Sequence, residues 1–354
     1  MYLSSLAQGL TPYVAGEQPK NQVFIKLNTN ENPYPPSPMA EKVLHESNLS
    51  LLRLYPDTDA SAFCKSAAEQ SGVKPTQIFA GNGSDEVLAF AFAAFFAEEK
   101  LFCPDITYSF YPVYSELFRV DYRAVPVRED FSVCVDDLMQ GGCVALANPN
   151  APTGLAVPVS ELRRLAEYTH SVGKVLLIDE AYAAFNTENA VSLVNEFDNV
   201  LITRTMSKSH SLAGLRLGYA IGSETLIDGM NRVKNCFNSY TIDMLGIAVG
   251  KAAIDDREYC DNNVRKIVEA REYTEKALRS IGMTVLPSRT NFVFAAYKGL
   301  SGAALQAALR SKGFLVRNFQ NGARIRDYLR ITIGTMEQME KLAAALEEII
   351  KESV

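Results

Sequence analysis

A chain of 354 residues is long enough for one large domain and one smaller one, each with a core of its own. Its 47% apolar and 21% charged composition is that of a folded globular protein rather than a disordered one. A net charge of −6 excludes a global basic field for nucleic acid or an anionic membrane, so any anionic ligand must be held by local arginines and backbone N–H groups.

The N-terminal segment MYLSSLAQGLTPYVAGEQ lacks the basic head and long apolar run of a signal peptide, and a cytoplasmic protein is expected. Asn32–Pro38 (NPYPPSP) reads as a rigid connector. Gln77–Ala80 is strand-like and Asp85–Ala97 helical; the apolar run Val87–Ala97 within it is too short to span a bilayer. Strands are predicted at Leu101–Cys103, Tyr122–Val127 and Val144–Ala147, then an amphipathic helix over Val159–Val172, then buried strands at Val175–Ile178 and Val200–Thr203. Such β-branched runs alternating with helices predict an α/β domain with a mainly parallel sheet covered on both faces. Beyond Gly218–Ile221 the pattern changes to one long charge-laced helix, Asp256–Arg279. Strands at Thr284–Leu286, Phe292–Ala295, Phe314–Val316 and Leu329–Ile333 follow, with helices Gly302–Ser311 and Met336–Lys351 among them, an α+β module. The expected division is a large domain over 30–240 and a small domain from 1–29 and 241–354, with the N-terminal segment crossing back to pack near the small one.

Six cysteines (Cys64, Cys103, Cys134, Cys143, Cys236 and Cys260) are scattered without a C-x-x-C and read as reduced core thiols. With only His45, His170 and His210 available, no metal site built on histidine is expected.

Ligands of a parallel sheet bind at the carboxyl edge of its strands, and four polar signals fall there. Gly81-Asn-Gly-Ser-Asp-Glu86 follows one strand and opens a helix; Glu86 stands where a dinucleotide fingerprint needs a third glycine, so that reading is weak. What remains is either an ordinary turn capped by Ser84 or Asp85, or a one-phosphate cradle at a helix N-terminus. Asn148-Pro-Asn-Ala-Pro-Thr-Gly154 follows a second strand. Asp179 ends a third, as a satisfied carboxylate or as a buried anion that keeps a heterocycle nitrogen protonated, with Tyr182 three residues on. Lys208 follows a fourth, among Thr205, Ser207, Ser209 and Ser211, and Arg216 is a surface cation or a phosphate clamp.

Taken together, Ser207-Lys208-Ser-His-Ser-Leu-Ala-Gly-Leu-Arg216-Leu-Gly-Tyr resembles the lysine motif of fold type I pyridoxal-phosphate enzymes, aminotransferases in particular. Asp-Glu-Ala-Tyr lies 29 residues before the lysine and Asn-Ala-Pro-Thr-Gly earlier still, in the order that family uses. Leu10-Thr-Pro-Tyr13, Leu27-Asn-Thr-Asn-Glu-Asn-Pro33, Leu54-Tyr-Pro-Asp57 and Leu329-Arg-Ile-Thr-Ile-Gly334 further resemble histidinol-phosphate aminotransferases, so the likeness covers nearly the whole chain. It implies a seven-stranded, mainly parallel sheet sandwiched by helices, and pyridoxal 5′-phosphate as a Schiff base on Lys208. Lys208, Asp179 and Tyr182 are then the implied catalytic residues. Lys208 moves a proton between the substrate Cα and the cofactor, Asp179 pairs with the pyridine nitrogen, and Tyr182 donates to the phenolic oxygen. Gly83, Ser84, Asp85, Ser207 and Arg216 would hold the cofactor phosphate, and Tyr108 would stack on the ring. Many relatives carry Asn before Pro-Thr-Gly; here that position is Ala151, and Asn150 is expected to supply the missing amide.

The same resemblance assigns Arg317 and Arg330 to a substrate phosphate and matches Tyr13, Asn30 and Tyr55 to positions lining the substrate site. Tyr55 would reach both substrate and cofactor from a partner subunit, so a homodimer with shared sites is implied. The implied reaction is L-histidinol phosphate with 2-oxoglutarate, giving imidazole-acetol phosphate and L-glutamate, a step of histidine biosynthesis. A broad-range or aromatic aminotransferase, or a decarboxylase of an O-phospho-amino acid, would share these motifs. A cofactor-sensing regulator would need a DNA-binding module, for which the segment before Asn28 is too short. Neither nucleic acid nor membrane is an expected partner.

Overall fold

A computed structural model describes residues 2–13, 16–19 and 24–353. Residues 1, 14–15 and 20–23 of the expected N-terminal segment, and residue 354, lie outside the described residues. Seven strands form the central sheet: β2 (Ile78–Gly81), β3 (Lys100–Pro104), β4 (Asp121–Val125), β5 (Cys143–Ala147), β6 (Leu176–Asp179), β7 (Val200–Thr205) and β8 (Gly218–Ile221). Their spatial order is 2-8-7-6-5-3-4, parallel throughout except for β8, which runs antiparallel to both its neighbours. β5, β6 and β8 are buried along their whole length, because helices cover both faces. Alternation then decides which core each residue joins: Leu176 and Ile178 of β6 enter one apolar cluster, and Leu177 enters the cluster on the opposite face.

A second core lies over a four-stranded antiparallel sheet, ordered β12 (Arg317–Asn318), β13 (Tyr328–Thr332), β10 (Phe292–Ala296), β9 (Thr284–Val285). Helices Arg257–Ser280, Gly302–Ser311 and Met336–Ser353 carry its apolar partners, including Ile267, Leu305, Leu342 and Leu346. The N-terminal chain does cross back. β1 (Ile25–Lys26) pairs in parallel with β11 (Phe314–Leu315), and the Thr332 N–H donates to Leu27 O at 3.0 Å.

Four expectations need correction. The strand expected at Phe314–Val316 switches sheets, β11 pairing with β1 and β12 with β13. The helix expected over Asp85–Ala97 is α-helical only over Gly83–Ala91; it widens into a π-turn at Phe92–Phe96, closed by Ala97 N–H on Phe92 O. The helix Met244–Asp255 falls in the expected small domain, yet Ile247, Val249, Ala253 and Ile254 join the large-sheet core beside Ala40 and Phe63. The connector expected to end at Pro38 instead opens a helix there, Pro38–Glu46, with Ser37 as its N-cap. Cys64, Cys103, Cys143 and Cys260 are buried as expected, whereas Cys236 is exposed. Among the described residues no helix is long and apolar enough to cross a membrane, and no cluster of three potential metal ligands occurs.

Candidate active site

The strand registers bring the site residues to one edge. Ala147, Asp179 and Thr203 are neighbours across β5, β6 and β7, and Gly218 of β8 stands beside both Thr205 and Gly81. Above them lies a cavity of about 520 Å³ lined by residues of both sheets and of the N-terminal segment. Of the expected residues, Tyr13, Asn30, Ser84, Asp85, Tyr108, Asp179, Tyr182, Ser207, Lys208, Arg216, Arg317 and Arg330 all line it. A wider cavity of about 850 Å³ adjoins it, sharing Tyr13, Tyr108, Ala151, Arg317 and Arg330, and opens along the loop Phe319–Ile325.

Asp179 forms the floor. Its carboxylate accepts from Tyr111 Oη, Thr203 Oγ1 and Ala181 N–H, each at 3.2 Å. Burial raises its pKa to about 6 even against these three donors. Lys208 faces the same space, its Nζ donating to Thr29 O at 3.2 Å. Burial lowers its pKa to about 8, with help from the Arg330 and Arg216 charges and against Glu31 and Asp85. The lysine therefore gives up its proton more readily than a free amine does, as a base or nucleophile needs to. Asn32 steadies its backbone, donating to Lys208 O at 2.9 Å.

At one end, the helix Gly83–Ala91 points its first turn at the cavity. Gly218 is required here, since a Cβ would collide with the Ser84 backbone nitrogen; Gly83, at φ +82, leaves room for the Arg216 guanidinium. Asp85 ties two groups together, accepting from Tyr108 Oη at 2.8 Å and from Arg216 Nη2 at 3.1 Å. Ser84, Ser207 and Arg216 line the cavity together with the first turn of this helix, a set of donors suited to an anion.

On the opposite side, Arg317 and Arg330 are direct cross-strand partners in the β12–β13 ladder. Like charges placed so are unfavourable unless an anion bridges them. Burial lowers the Arg330 pKa, its Nη2 donates to Asn28 O at 3.0 Å, and its guanidinium lies over Phe292 and Phe319. Its Nε–H is buried with no partner among the described residues. Among the described residues, Lys208, Arg216, Arg317 and Arg330 line the cavity together with the carboxylates Asp85 and Asp179, a setting suited to an anionic ligand.

Three expected residues stand elsewhere or do something else. Asn150 does not line this cavity: its Nδ2 donates to Ile106 O at 2.8 Å and to Thr153 Oγ1 at 3.1 Å, and its Oδ1 accepts from Thr107. It braces the turn, and Ala151 is the residue that faces the ligand space. Asn30 spends its amide on Tyr182 Oη, at 2.7 Å, and its Oδ1 on Thr332, so it contacts the tyrosine rather than offering a free amide to substrate. Tyr55 is 80% exposed, stacked on Tyr240, and lies outside its own chain's cavity. Tyr111 and Thr203, which hold Asp179, were not singled out from the sequence, although Tyr111 lies three residues after Tyr108, one helical turn on.

Residues 22–346 match the sequence model of the family described as aminotransferase class I and II, and the chain belongs to that family. It is thereby a pyridoxal-phosphate-dependent transaminase. A histidinol-phosphate aminotransferase of Brachyspira hyodysenteriae is 45% identical over 99% of each chain. One from Chromohalobacter salexigens is 48% identical over 99% of each. The crystal structure of the Sinorhizobium meliloti histidinol-phosphate aminotransferase in complex with pyridoxal-5′-phosphate shares the fold, with a TM-score of 0.88 at 24% identity over 100% of this chain and 98% of that one.

Proposed function

We propose that the chain transfers the amino group of L-histidinol phosphate to 2-oxoglutarate, giving imidazole-acetol phosphate and L-glutamate. The observation that carries this reading is the Arg317–Arg330 pair, two adjacent cations on the substrate side of a cavity that already has a separate phosphate cradle. A phosphorylated amine satisfies both, and the carboxylates of 2-oxoglutarate can use the same arginines in the return half-reaction.

The residues fit pyridoxal 5′-phosphate. A buried acid, a buried amine and a glycine-lined cradle are spaced around one cavity. When bound, the cofactor supplies an electron-withdrawing ring that stabilises negative charge at the substrate Cα. Asp179 would hold a proton on the ring nitrogen, and Tyr182 would donate to the phenolic oxygen. Ser84, Asp85, Ser207 and Arg216, with Gly83 leaving room for the arginine, would hold the phosphate, and Tyr108 would cover the ring. Lys208 Nζ would take the proton from the substrate Cα, a task its lowered pKa suits. Tyr13 lines both cavities and would enclose the substrate.

The working unit in this reading is a homodimer. Leu49, Leu51, Leu52, Leu54 and Tyr55 are all exposed and consecutive or nearly so, with Tyr240 stacked on Tyr55. An apolar run of that size on a folded surface supports a partner, and Tyr55 would complete the partner's site. Buried free thiols support a cytoplasmic setting.

The test is kcat/KM for histidinol phosphate, phenylalanine and phosphothreonine as amino donors. Histidinol phosphate is expected to lead. Arg330→Ala should cost it about 2–5 kcal/mol in kcat/KM, far more than it costs histidinol, an amine with neither phosphate nor carboxylate. Equal losses on both donors, or release of carbon dioxide from phosphothreonine as the fastest reaction, would contradict the assignment.

A further inference from the structure

We infer that Asn30 is a positioning residue that fixes Tyr182 as a hydrogen-bond donor into the cavity, an inference that rests on the cofactor reading above. Asn30 is 1% exposed, and its Nδ2 donates to Tyr182 Oη at 2.7 Å. A phenol has one proton to give and lone pairs to receive with. Because Asn30 fills an accepting position on that oxygen, the Tyr182 proton is left for another acceptor, and Tyr182 lines the cavity. Accepting one bond also polarises the O–H and strengthens the bond it gives.

The side chain and backbone of Asn30 are both anchored to the small sheet. Asn30 Oδ1 accepts from Thr332 Oγ1 at 3.2 Å, Thr332 Oγ1 accepts from Asn30 N–H at 2.9 Å, and Asn30 O accepts from Asn291 Nδ2 at 3.0 Å. Asn30 sits at φ +57, a left-handed conformation that asparagine tolerates better than most residues. The small sheet, through Thr332 of β13 and Asn291 before β10, thus presents an amide to a tyrosine that follows β6 of the large sheet. Nearby, the residue that faces the ligand from the Pro-Thr-Gly turn is Ala151, which has no donor of its own.

The experiment is a spectroscopic pH titration of the holoenzyme's visible absorbance in wild type, Asn30→Gly, Tyr182→Phe and the double variant. Glycine is used because it adopts φ +57 without strain; it removes the amide together with its bond from Thr332. Deprotonation leaves the cofactor's phenolic oxygen with more negative charge, so a donor to that oxygen lowers the midpoint and a weakened donor raises it. Asn30→Gly is expected to raise the midpoint by about 0.5–1 pH unit and to add nothing in the Tyr182→Phe background. An unchanged midpoint, or the same shift with and without the Tyr182 hydroxyl, overturns the inference. Asn30→Asp keeps the shape but offers only acceptors, turning the tyrosine proton toward itself. It should raise the midpoint at least as far as Tyr182→Phe, and a wild-type midpoint there overturns the inference even if Asn30→Gly fails to fold. A wild-type protein that binds no visibly absorbing cofactor would instead sink the reading on which this one rests.

Discussion

At the scale of single residues, the cavity is costly to the protein without its cofactor, because it buries ionisable groups, Lys208, Asp179 and Arg330 among them. Lys208 has its pKa lowered from 10.5 to about 8, so the folded state disfavours its charged form. Below pH 8 both folded and unfolded lysine are protonated, and the burial penalty is full. Between about 8 and 10.5 the unfolded chain binds more protons than the folded one, and stability rises with pH. Lys208→Met apoprotein should therefore melt above wild-type apoprotein at pH 7, by roughly 3 kcal/mol, with the gap shrinking as pH rises past 8. Thermal melts at pH 7 and 9.5 check this; a constant gap would mean that the lysine is solvated. The meeting of Asp179, Tyr182 and Lys208 at one cavity was legible in the sequence from the order and spacing of the strand-end motifs taken together, each residue alone having an ordinary structural reading. Asn150 misled for a local reason: its amide is taken up inside the turn by Ile106, Thr107 and Thr153, and Ala151 is the residue left facing the ligand. Tyr111 gave no signal beyond an aromatic that fills space, since its bond to Asp179 depends on register 68 residues away.

At the scale of elements, the buried strands were read within a residue or two, because continuous β-branched runs have few alternative uses. Sequence alternation could not reveal that Phe314–Asn318 serves two sheets, and that switch matters for function. It turns Arg317 away from the β1–β11 pair and into register with Arg330. The helix Met244–Asp255 was missed because it is apolar nearly all round, with Gly246, Val249, Gly250, Ala252 and Ala253 buried, so it shows no clear stripe. The helices Pro38–Glu46 and Ser61–Ser71 pack against it and fix its place under the large sheet.

At the scale of the molecule, the site exists only because three distant segments meet: the large-sheet edge, the β12–β13 ladder and the returning N-terminal chain with Asn28, Thr29 and Asn30. A fourth is proposed from a second copy through Tyr55. Tyr55→Phe and Lys208→Ala homodimers should each be impaired, and mixing them should restore activity to about a quarter of wild type through heterodimers with one intact site. No recovery despite demonstrated subunit exchange would place Tyr55 outside the partner's site. Everything in the account depends on Lys208 holding the cofactor. The direct measurement is borohydride reduction of the holoenzyme followed by peptide mass spectrometry. A phosphopyridoxyl group is expected on the peptide containing Lys208 and on no other lysine. A label on a different lysine, or none, would contradict it.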